Sequence, residues 1–458
     1  MNTLGPNARD IAVRALRDQA GNVSAHLDRL LSRGGLSPED RGLATELALG
    51  SVRRKATLER VLQAFIAQPG KRTPGVLSEI LQVALYQILF LDRVPDFAAV
   101  NEAVEQAGRF HHRRKSGFVN GVLRTVVRNV SGRLAGKPPA APEILPLGPN
   151  AYREFTKAVF SDPRADPAAY LAEAMSLPKE LAERWMASLG AERAAEAAVC
   201  SNVRAPLILR VNRLRTDVAA VLSELASADL PARAHQNGLS IVLDRHVNVQ
   251  ELAAFQDGRV QPQDPTATGV VEAAAPQPGM NVLDLCAAPG TKTTHLAERM
   301  DNRGSIIAVD VSEDKLQKIR DNCDRMGCQI VTTMPADRIG SLATQSFDVV
   351  LVDVPCSNTG VLSRRAEARW RFSAAKLARL AKDQHLLATA GANFVKPGGK
   401  LVYSTCSLEP EECGQVAGAL VRSVPRMELS GEELILPGGA DDPAAWHDGG
   451  YIAIFEAG

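Results

Sequence analysis

The sequence predicts a chain of three parts: an all-α N-terminal domain, a small α/β middle domain and a doubly wound α/β C-terminal domain. Residues 6–133 carry apolar residues at helical spacing and show no strand pattern. A proline-rich stretch follows, and from about residue 262 short apolar strands alternate with helices, which is typical of a mostly parallel sheet. A length of 458 residues also exceeds what one hydrophobic core supports, so several domains are expected.

The N-terminal domain, predicted over residues 1–137, is expected to be a helical bundle. Ser37 and Pro38, followed by two acidic residues, predict a helix start, because serine caps free N–H groups and proline fits the first helical position. Residues 1–137 carry 21 Lys and Arg against 12 Asp and Glu, whereas the remainder carries 32 against 40. This asymmetry indicates a polyanionic partner such as nucleic acid, although solvated helix faces would give the same charge.

The middle of the chain is predicted from a proline-rich stretch and two short strands. Prolines make up five of the seventeen residues 134–150, so we expect a linker over 138–150 without regular helix or central strand. Residues 151–261 then begin with helical patterns. A strand at 206–211, a helix near 217–228 and a strand at 239–243 complete a small α/β, RRM-like domain.

The C-terminal domain, predicted over residues 262–458, follows from alternating strands and helices. Strands are predicted at 282–285, 305–309, 349–354 and 401–404, with helices at 312–326 and about 377–394. Ser312 is the expected cap of the first of these helices, and Gly327 its stop.

Composition narrows the class of protein. No apolar run approaches the ~20 residues that cross a bilayer, and the first ten residues lack the apolar stretch of a signal peptide. Seven cysteines without framework spacing indicate free thiols in a reducing compartment. We therefore expect a cytoplasmic protein, a monomer, without a membrane partner. A metal site is not expected either, since the chain has no Cys-x-x-Cys or Cys/His cluster.

A loop of mostly small residues, 286–292, follows the first strand of the C-terminal domain. It lacks the glycine spacing of a dinucleotide fingerprint and of a P-loop. Asp310 ends the next strand, at the place where a carboxylate accepts hydrogen bonds from ribose hydroxyls, and Asp337 ends the strand after that. Each acid alone could be a helix cap or a solvated turn. Three such loops at one sheet edge could together hold an adenosyl group.

Two cysteines, Cys356 and Cys406, each follow an apolar run that is predicted to be a buried strand. A free cysteine is usually a small buried hydrophobe, and this is the prediction for Cys200, Cys323 and Cys328. Cys356 and Cys406 instead lie in polar loops at strand ends, where a nearby helix start would favour the nucleophilic thiolate. We therefore hypothesise a cofactor held beside a covalent cysteine nucleophile.

Four segments of the chain carry a family resemblance: 263–265 (Gln-Asp-Pro), 284–293 (Asp-Leu-Cys-Ala-Ala-Pro-Gly-Thr-Lys-Thr), 353–361 (Asp-Val-Pro-Cys-Ser-Asn-Thr-Gly-Val) and 404–412 (Ser-Thr-Cys-Ser-Leu-Glu-Pro-Glu-Glu). They resemble the signature motifs of the RNA cytosine-5 methyltransferases of the Nop/Sun family. The N-terminal domain resembles a NusB-like RNA-binding domain. The order of domains is similar to the bacterial RsmB type, which methylates a cytosine in 16S ribosomal RNA.

The resemblance implies a Rossmann-like methyltransferase domain whose methyl donor is S-adenosyl-L-methionine. Cys406 would be the nucleophile that adds to carbon 6 of cytosine, and Cys356 would assist release after transfer. Asp353 would hydrogen-bond the edge of the base and favour protonation at ring nitrogen 3. The residues implied at the donor site are Cys286, Ala287, Ala288, Pro289, Gly290, Thr291, Lys292, Asp310, Asp337 and Asp353.

The chain departs from the family pattern at three places within or shortly after these motifs. Thr291 stands where a second glycine is usual, and Cys413 stands where asparagine is common. Residues 364–367 read Arg-Arg-Ala-Glu where many relatives have Arg-His-Pro-Asp, which implies a different contact with the target strand. These departures bear on the exact target more than on the reaction.

Other functions remain as alternatives. A 5-methylcytosine methyltransferase of transfer RNA or of another ribosomal site would show the same motifs. A DNA cytosine methyltransferase fits less well, because those enzymes take their nucleophile from the Pro-Cys loop and lack the Thr-Cys loop. A non-catalytic RNA-binding assembly factor is a further alternative, against which the two thiols, Asp353 and Asp310 argue.

Overall fold

The structure, a computed structural model, describes residues 7–17, 22–66, 75–110, 113–245 and 247–458. The first six residues, on which part of the prediction about a signal peptide rests, lie outside these ranges. The chain divides into two compact units. Unit 1 comprises Met1–Val203 with Leu362–Phe372, and unit 2 comprises Arg204–Val361 with Ser373–Gly458.

Unit 1 begins with the predicted helices. Ser37 caps the third helix by accepting a hydrogen bond of 3.1 Å from the Asp40 N–H, and Pro38 is its first residue, which confirms that helix start. Apolar residues of these helices pack into one buried cluster. The helices are α1 (Ala8–Leu16), α2 (Val23–Leu31), α3 (Pro38–Arg53), α4 (Lys55–Phe65), α5 (Gly75–Phe90), α6 (Asp96–Phe110) and α7 (Arg113–Arg128).

The proline-rich stretch 138–150 is not a free linker, because it contains a strand of a small antiparallel sheet. The sheet consists of β1 (Leu134–Ala135), β2 (Ile144–Gly148) and β3 (Ala151–Glu154) in the order β1-β3-β2. Pro146 is tolerated because β2 lies at the sheet edge, where one side of the strand needs no N–H donor. Unit 1 then continues past the predicted boundary at residue 151 with α8 (Pro167–Ala174), α9 (Lys179–Leu189) and α10 (Ala191–Asn202).

A segment from the C-terminal half, Leu362–Phe372, also belongs to unit 1. Its Arg369 is fully buried and donates to the backbone carbonyls of Ser176 (2.9 Å) and Ser201 (2.7 Å). The Trp370 indole N–H donates to the Val52 carbonyl at 2.8 Å. We call this segment, residues 362–372, the anchor segment.

The anchor segment contains the departure at 364–367, and the structure changes its interpretation. Ala366 and Glu367 are buried within unit 1, and the Glu367 carboxylate accepts hydrogen bonds from the backbone and hydroxyl of Ser24. Only Arg364 and Arg365 of these four residues are exposed. Ala366 and Glu367 therefore belong to the packing of unit 1, and a different contact with a target strand at 364–367 stays a prediction for the two exposed arginines.

The first part of unit 2 is a small four-stranded antiparallel sheet with helices. The predicted strands at 206–211 and 239–243 and the helix near 217–228 are confirmed, whereas β5 and β7 were not predicted. The sheet order is β5-β6-β4-β7. The elements are β4 (Leu207–Val211), α11 (Val218–Ser227), β5 (Ala232–Ala234), β6 (Ser240–Leu243), α12 (Ala253–Gln256) and β7 (Val260–Pro262).

The rest of unit 2 is the predicted α/β domain, built on a seven-stranded sheet in the order β10-β9-β8-β11-β12-β14-β13. Strands β10, β9, β8, β11 and β12 are parallel neighbours, and β14 and β13 are antiparallel. The strands are β8 (Asn281–Leu285), β9 (Ser305–Asp310), β10 (Val331–Pro335), β11 (Phe347–Asp353), β12 (Val395–Thr405), β13 (Met427–Ile435) and β14 (Gly450–Ala457). The helices are α13 (Pro265–Ala274), α14 (Thr291–Arg299), α15 (Glu313–Met326), α16 (Ala374–Ala392) and α17 (Gly414–Ser423).

Helix α15 shows how the sequence signals perform. Gly327 ends the helix in a left-handed conformation, as predicted. Ser312 occupies the N-cap position, but its side chain makes no capping hydrogen bond. Buried Leu316, Ile319 and Cys323 pack under the sheet in a cluster with β8 and β9. The helix therefore starts where the sequence predicts, although the Ser312 hydroxyl does not cap it.

Candidate active site

The predicted site residues meet at one edge of the large sheet. Cys286 follows β8, Asp310 ends β9, Asp353 ends β11 and Cys406 follows β12. Because these strands are parallel neighbours, their carboxyl ends share an edge, which is where ligands bind in open α/β sheets. Asp337 lies two residues beyond β10, in an exposed 3₁₀ turn, and not at the strand end itself.

The two candidate thiols are in direct contact. The Sγ atoms of Cys356 and Cys406 are 2.8 Å apart, and either sulfur can donate the hydrogen bond. The Cys406 thiol also lies 3.4 Å from Asn358 Oδ1, and the Asn358 amide donates to the Cys356 carbonyl at 2.9 Å. One side chain thus connects both cysteine loops.

The thiol pair titrates as a unit. The hydrogen bond with Cys406 lowers the pKa of Cys356, and the same hydrogen bond raises the pKa of Cys406. A thiolate in this pair is stabilised by the remaining S–H, whereas loss of the second proton would place two negative sulfurs in contact. The pair therefore holds one proton tightly and releases the other more readily.

Neither thiol lies at the start of an α-helix, which corrects that part of the prediction. Cys356 precedes a single 3₁₀ turn, Thr359–Val361, and the next helix after Cys406 begins only at Gly414. Helix dipoles therefore do not activate these cysteines. The cation near Cys406 is instead the side chain of Lys292, which opposes the rise in the pKa of Cys406 caused by the hydrogen bond with Cys356 and by burial.

Asp353 is held by an ion pair and a hydroxyl. Lys292 Nζ lies 2.7 Å from Asp353 Oδ2, and the Ser404 hydroxyl donates to Oδ1 at 2.7 Å. Burial alone would lower the pKa of Lys292, but the Asp353 carboxylate outweighs burial and raises it. Lys292 is therefore a fixed positive charge between the candidate donor loop and the thiol pair.

Gly360 lets the two cysteine loops approach each other. Its N–H donates to the Cys406 carbonyl at 3.0 Å, and its own carbonyl accepts from the Gly449 N–H at 2.8 Å. A Cβ built on Gly360 would lie 2.4 Å from the Gly449 oxygen, so no larger residue fits without moving this backbone.

The loop at 286–292 turns sharply out of β8. Cys286 has a positive φ of 62°, the Ala287 N–H donates to the Val309 carbonyl at 3.0 Å, and the Gly290 N–H donates to the Ala287 carbonyl at 2.8 Å. A Cβ on Gly290 would lie 3.2 Å from Cα of Ile319. The glycine is therefore required for close packing against α15. Pro289 precedes it, and Thr291 begins α14.

Asp310 is fixed by its surroundings. Its carboxylate accepts from the N–H groups of Ala288 (3.0 Å) and Val311 (2.7 Å), and from Lys315 Nζ (2.9 Å). Burial alone would raise the pKa of Asp310, but these donors outweigh burial and lower it. Asp310 is therefore an ionised acceptor that ties the candidate donor loop to the end of β9.

The donor region carries a negative potential that suits a cationic ligand. Burial raises the pKa of Asp284 to about 7, and one of its oxygens, Oδ1, has no hydrogen-bond partner among the described residues. Burial, and then the carboxylates of Asp310, Asp353 and Asp284, raise the pKa of Cys286 to about 12. S-adenosylmethionine bears a sulfonium and an ammonium group, so the residues present fit this cofactor.

A cleft opens beside Cys406, and sequence reasoning did not assign most of its lining. Among the lining residues are Asp264, Thr266, Asp448 and Tyr451. Asp264 lies in a quoted motif without a role, and its carboxylate accepts from the Asp448 N–H at 3.1 Å. Asp448 and Tyr451 come from β14 and the loop before it, where the sequence gives no local signal.

Cysteines predicted to be structural are buried. Cys200, Cys323 and Cys328 are each less than 10% exposed, and Cys413 is 4% exposed at the N-cap of α17.

In the described part of the chain, no group of three or more His, Cys, Asp or Glu residues is arranged to hold a metal ion. No helix within the described ranges is long and apolar enough to span a membrane.

Three family models match the chain. Residues 271–441 match the model of the 16S rRNA methyltransferase RsmB/F, and residues 6–128 match the NusB family. Residues 177–250 match the ferredoxin-like domain of RsmF/B-like methyltransferases.

Relatives and a solved structure resemble the chain over nearly its whole length. It is 33% identical to the probable ribosomal RNA small subunit methyltransferase B of Bacillus subtilis, over 92% of this chain and 90% of that protein. It is 32% identical to the ribosomal RNA small subunit methyltransferase B of Yersinia pseudotuberculosis, over 93% and 92%. The crystal structure of PH0851 shares the fold with a TM-score of 0.74 at 22% identity, covering 99% of each chain. With its NusB-family and ferredoxin-like domains, the chain therefore belongs to the RsmB/F family of S-adenosylmethionine-dependent ribosomal RNA methyltransferases.

Proposed function

We propose that this protein transfers a methyl group from S-adenosyl-L-methionine to carbon 5 of a cytosine in 16S ribosomal RNA, through a covalent cysteine–cytosine adduct. The observation that carries the proposal is the contact of two thiols, 2.8 Å apart, beside a carboxylate on the neighbouring strand end. Family membership supports a ribosomal RNA substrate. The cytosine-5 chemistry rests on the thiols.

Cys406 is the nucleophile in this proposal. Carbon 5 of cytosine is a weak nucleophile, and addition of the Cys406 thiolate to carbon 6 makes it enamine-like, so that one hard step becomes two easier ones. The new S–C6 bond forms as a proton is taken up at ring nitrogen 3. After methyl transfer, carbon 5 loses its proton to a base, the C5–C6 double bond re-forms, Cys406 leaves as a thiolate and ring nitrogen 3 gives back the proton it had taken up.

Asp353 and Lys292 serve the base in this scheme. Asp353 lies at the end of β11, next to Ser404 at the end of β12, and its oxygens are held by two donors. A fixed carboxylate can hydrogen-bond the protonated edge of cytosine. Lys292 Nζ, 2.7 Å away, balances the charge of this carboxylate.

The donor site is proposed along the loop at 286–292, with Asp310 at the ribose hydroxyls and Asp337 near the adenine. The cofactor supplies an electrophilic methyl group when bound. The chain's part is to hold it: the ionised Asp310 accepts hydrogen bonds, and the carboxylates of Asp310 and Asp353 attract its positive charges. Thr291, at the start of α14, provides an N–H at a helix terminus.

The basic N-terminal domain supplies RNA affinity in this proposal, and the protein acts in the cytoplasm as a monomer. The target base must be unstacked to reach Cys406, which favours a loop or bulge in the RNA. Exposed Arg124 and Arg128 on α7 are suited to phosphate contacts. Arg124→Glu with Arg128→Glu should weaken binding of 16S RNA and reduce its salt dependence, and an unchanged salt slope would remove α7 from the RNA contact.

The thiol variants test the reaction. Cys406→Ala should give no adduct and no methylation, because no nucleophile remains. Cys356→Ala should still form the adduct but fail to resolve it, so RNA stays attached to the protein as a shifted band on a denaturing gel. The double variant should lose that band.

A matched control is Cys323→Ala, a buried cysteine on α15 away from the strand ends, which should methylate normally. A trapped adduct in Cys406→Ala, with none in Cys356→Ala, would reverse the two roles. Absence of any adduct in all variants, with methylation intact, would refute the covalent route.

The target is tested by bisulfite sequencing of ribosomal and transfer RNA from cells with and without the gene. Loss of one 5-methylcytosine in 16S RNA is expected. Loss confined to transfer RNA or to 23S RNA would overturn the substrate assignment but leave the chemistry standing.

A further inference from the structure

Glu412 is a fully buried carboxylate beside the Cys356 loop. Its Oε1 accepts the Ser357 N–H at 2.9 Å, and its Oε2 accepts the Ser357 hydroxyl. Gln384 Nε2 donates both to Glu412 Oε1 and to the Pro355 carbonyl, each at 2.8 Å. The residues on both sides of Cys356 are therefore held by two buried side chains from α16 and the loop before α17.

Glu412 and Gln384 are in turn both contacted by the hydroxyl of Tyr403 in β12. This hydroxyl donates to the Glu412 carbonyl at 2.6 Å and lies 3.3 Å from Gln384 Oε1. Gln384, Tyr403 and Glu412 are each at most 1% exposed. Because they sit under the loop and do not line the cleft beside Cys406, they cannot touch a base there.

The charges around the two thiols are unequal. Cys406 faces the ion pair of Asp353 and Lys292, whose charged atoms are 2.7 Å apart and act in opposite directions on the pKa of Cys406. Cys356 faces the carboxylate of Glu412, whose hydrogen-bond donors in the described residues are neutral groups. This carboxylate raises the pKa of Cys356, whereas Thr405 and the Asn358 backbone lower it. Either sulfur can donate in the shared S–H bond, which lowers the pKa of Cys356 and raises that of Cys406, so that the Glu412 carboxylate acts in the opposite direction at Cys356.

We infer that Glu412 is a positioning residue that, with Gln384, holds Cys356 against Cys406 and favours the single proton of the pair on Cys356, against the effect of the shared hydrogen bond. The inference rests on the proposed covalent reaction and deepens it. Cys406 is then the sulfur that is free to be a thiolate and to form the S–C6 bond. When that bond breaks, its electron pair returns to Cys406, and the Cys356 S–H donates a hydrogen bond to the leaving thiolate, so no proton is gained or lost at the pair.

The physical basis for this assignment is electrostatic. A buried carboxylate raises the pKa of a neighbouring thiol, and the Glu412 charge does so at Cys356, opposing the effect of the shared hydrogen bond. Sequence analysis places Glu412 in a motif without assigning it a role. Gln384 has no sequence signal, because a single glutamine within a long helix usually faces solvent.

The test measures which thiol ionises, without RNA or cofactor. The full-length protein is alkylated with iodoacetamide over a range of pH, and the modification of Cys356 and Cys406 is read separately by peptide mass spectrometry. In the wild type, Cys406 should react first. Glu412→Gln keeps the size and an acceptor oxygen but removes the charge, and should lower the Cys406-to-Cys356 ratio about tenfold, as expected for a relative shift of about one pKa unit.

Two control variants define the result. Glu411→Gln removes the neighbouring carboxylate and should leave the ratio unchanged. Glu412→Asp keeps the charge and should restore most of the preference for Cys406. Equal ratios in the wild type, Glu411→Gln and Glu412→Gln would overturn the inference, and so would equal loss in Glu412→Asp and Glu412→Gln.

If Glu412→Gln does not fold, Gln384→Leu tests the positioning part. It removes the donor to the Pro355 carbonyl and leaves the charge of Glu412. The yield of a short thiol-to-thiol cross-link between Cys356 and Cys406 should fall at least severalfold, and an unchanged yield would contradict the inference. Because neither assay uses RNA, either can fail while the adduct experiment succeeds, and the reverse also holds.

Discussion

Two buried guanidinium groups, one in each compact unit, are stabilised in different ways. Arg210 of unit 2 is 1% exposed and pairs with the Glu298 carboxylate at 2.6 Å. Arg369 of unit 1 is fully buried, and its hydrogen bonds in the described residues go to neutral oxygens, among them the carbonyls of Arg53 (3.0 Å) and Ser201 (2.7 Å). Arg210 is therefore paired with an opposite charge, whereas Arg369 is stabilised only by neutral dipoles.

The difference shows what each site contributes. Burial lowers the pKa of both arginines; Glu298 opposes that effect at Arg210, whereas neighbouring Arg53 and Arg54 add to it at Arg369. A desolvated cation without a counter-ion depends on several oxygens being in place at once. Arg369 therefore fixes the local backbone of unit 1, while Arg210 also reaches the candidate donor loop, donating to the Thr291 carbonyl at 2.9 Å.

The largest expected effect is from Glu298→Gln, which leaves Arg210 buried without its counter-charge. Breaking a buried pair in this way costs about 3–5 kcal/mol of stability. Urea unfolding, read through hydrogen exchange of peptides from unit 2, would measure it. Asp324→Asn, an exposed acid on α15, is the control and should change stability by less than about 0.5 kcal/mol. Equal effects of the two variants would show that Arg210 does not need its partner.

Arg369→Met should destabilise unit 1 by about 2–4 kcal/mol. The methionine fills part of the volume and removes a desolvated charge, but it leaves several buried carbonyls without donors. Hydrogen exchange of peptides from α3 and α10 would report the loss. Exposed Arg371→Met lies two residues away and should be nearly neutral. If Arg369→Met left the stability of unit 1 unchanged, the hydrogen bonds of the buried guanidinium would make no net contribution to that stability.

A third buried charge, Asp284, is relieved by protonation, and this gives a pH dependence. Burial raises its pKa from 3.8 to about 7, so between these values the folded state holds a proton that the unfolded state lacks, and stability falls as pH rises. Burial lowers the pKa of His295 from 6.5 to about 4, so its contribution rises with pH over that window. Between about pH 4 and 6.5, the contribution of Asp284 to stability therefore falls with pH while that of His295 rises.

Asp284→Asn should remove the falling contribution and leave the rising one. Relative to the wild type, the stability of the variant should increase with pH by up to about 1.4 kcal/mol per pH unit between pH 4 and 6.5. Denaturant midpoints across this range would measure the difference. Parallel pH curves for variant and wild type would show that Asp284 is ionised throughout.

The smallest effect is expected when both partners of the unit 2 pair are replaced. Arg210→Met with Glu298→Leu leaves neither charge unpaired, and stability should stay within about 1–2 kcal/mol of the wild type. Affinity for S-adenosylmethionine should nevertheless fall, because the Thr291 carbonyl loses its donor. Unchanged affinity by calorimetry would separate Arg210 from the donor loop.

These interactions also mark what the sequence could predict. Asp310, Asp353 and Cys406 each follow an apolar run, and parallel strands bring their ends together, so local pattern and sheet geometry were sufficient. Gln384 and the anchor segment could not be predicted. Arg369 donates to the carbonyls of Ser176 and Ser201, more than 160 residues earlier, and no pattern in the sequence around Arg369 indicates these long-range contacts.

The anchor segment sets a limit on dissecting this protein into fragments. The chain crosses between the two units after Val203, after Val361 and after Phe372. A fragment that begins after residue 137 or after residue 203 would keep Arg369 and Trp370 but lose the carbonyls of Arg53 and Val52 that accept their hydrogen bonds. A sound methyltransferase fragment would replace residues 362–372 with a short flexible bridge. The two units therefore cannot be separated by a single cut in the chain, because residues 362–372 of unit 1 interrupt the sequence of unit 2.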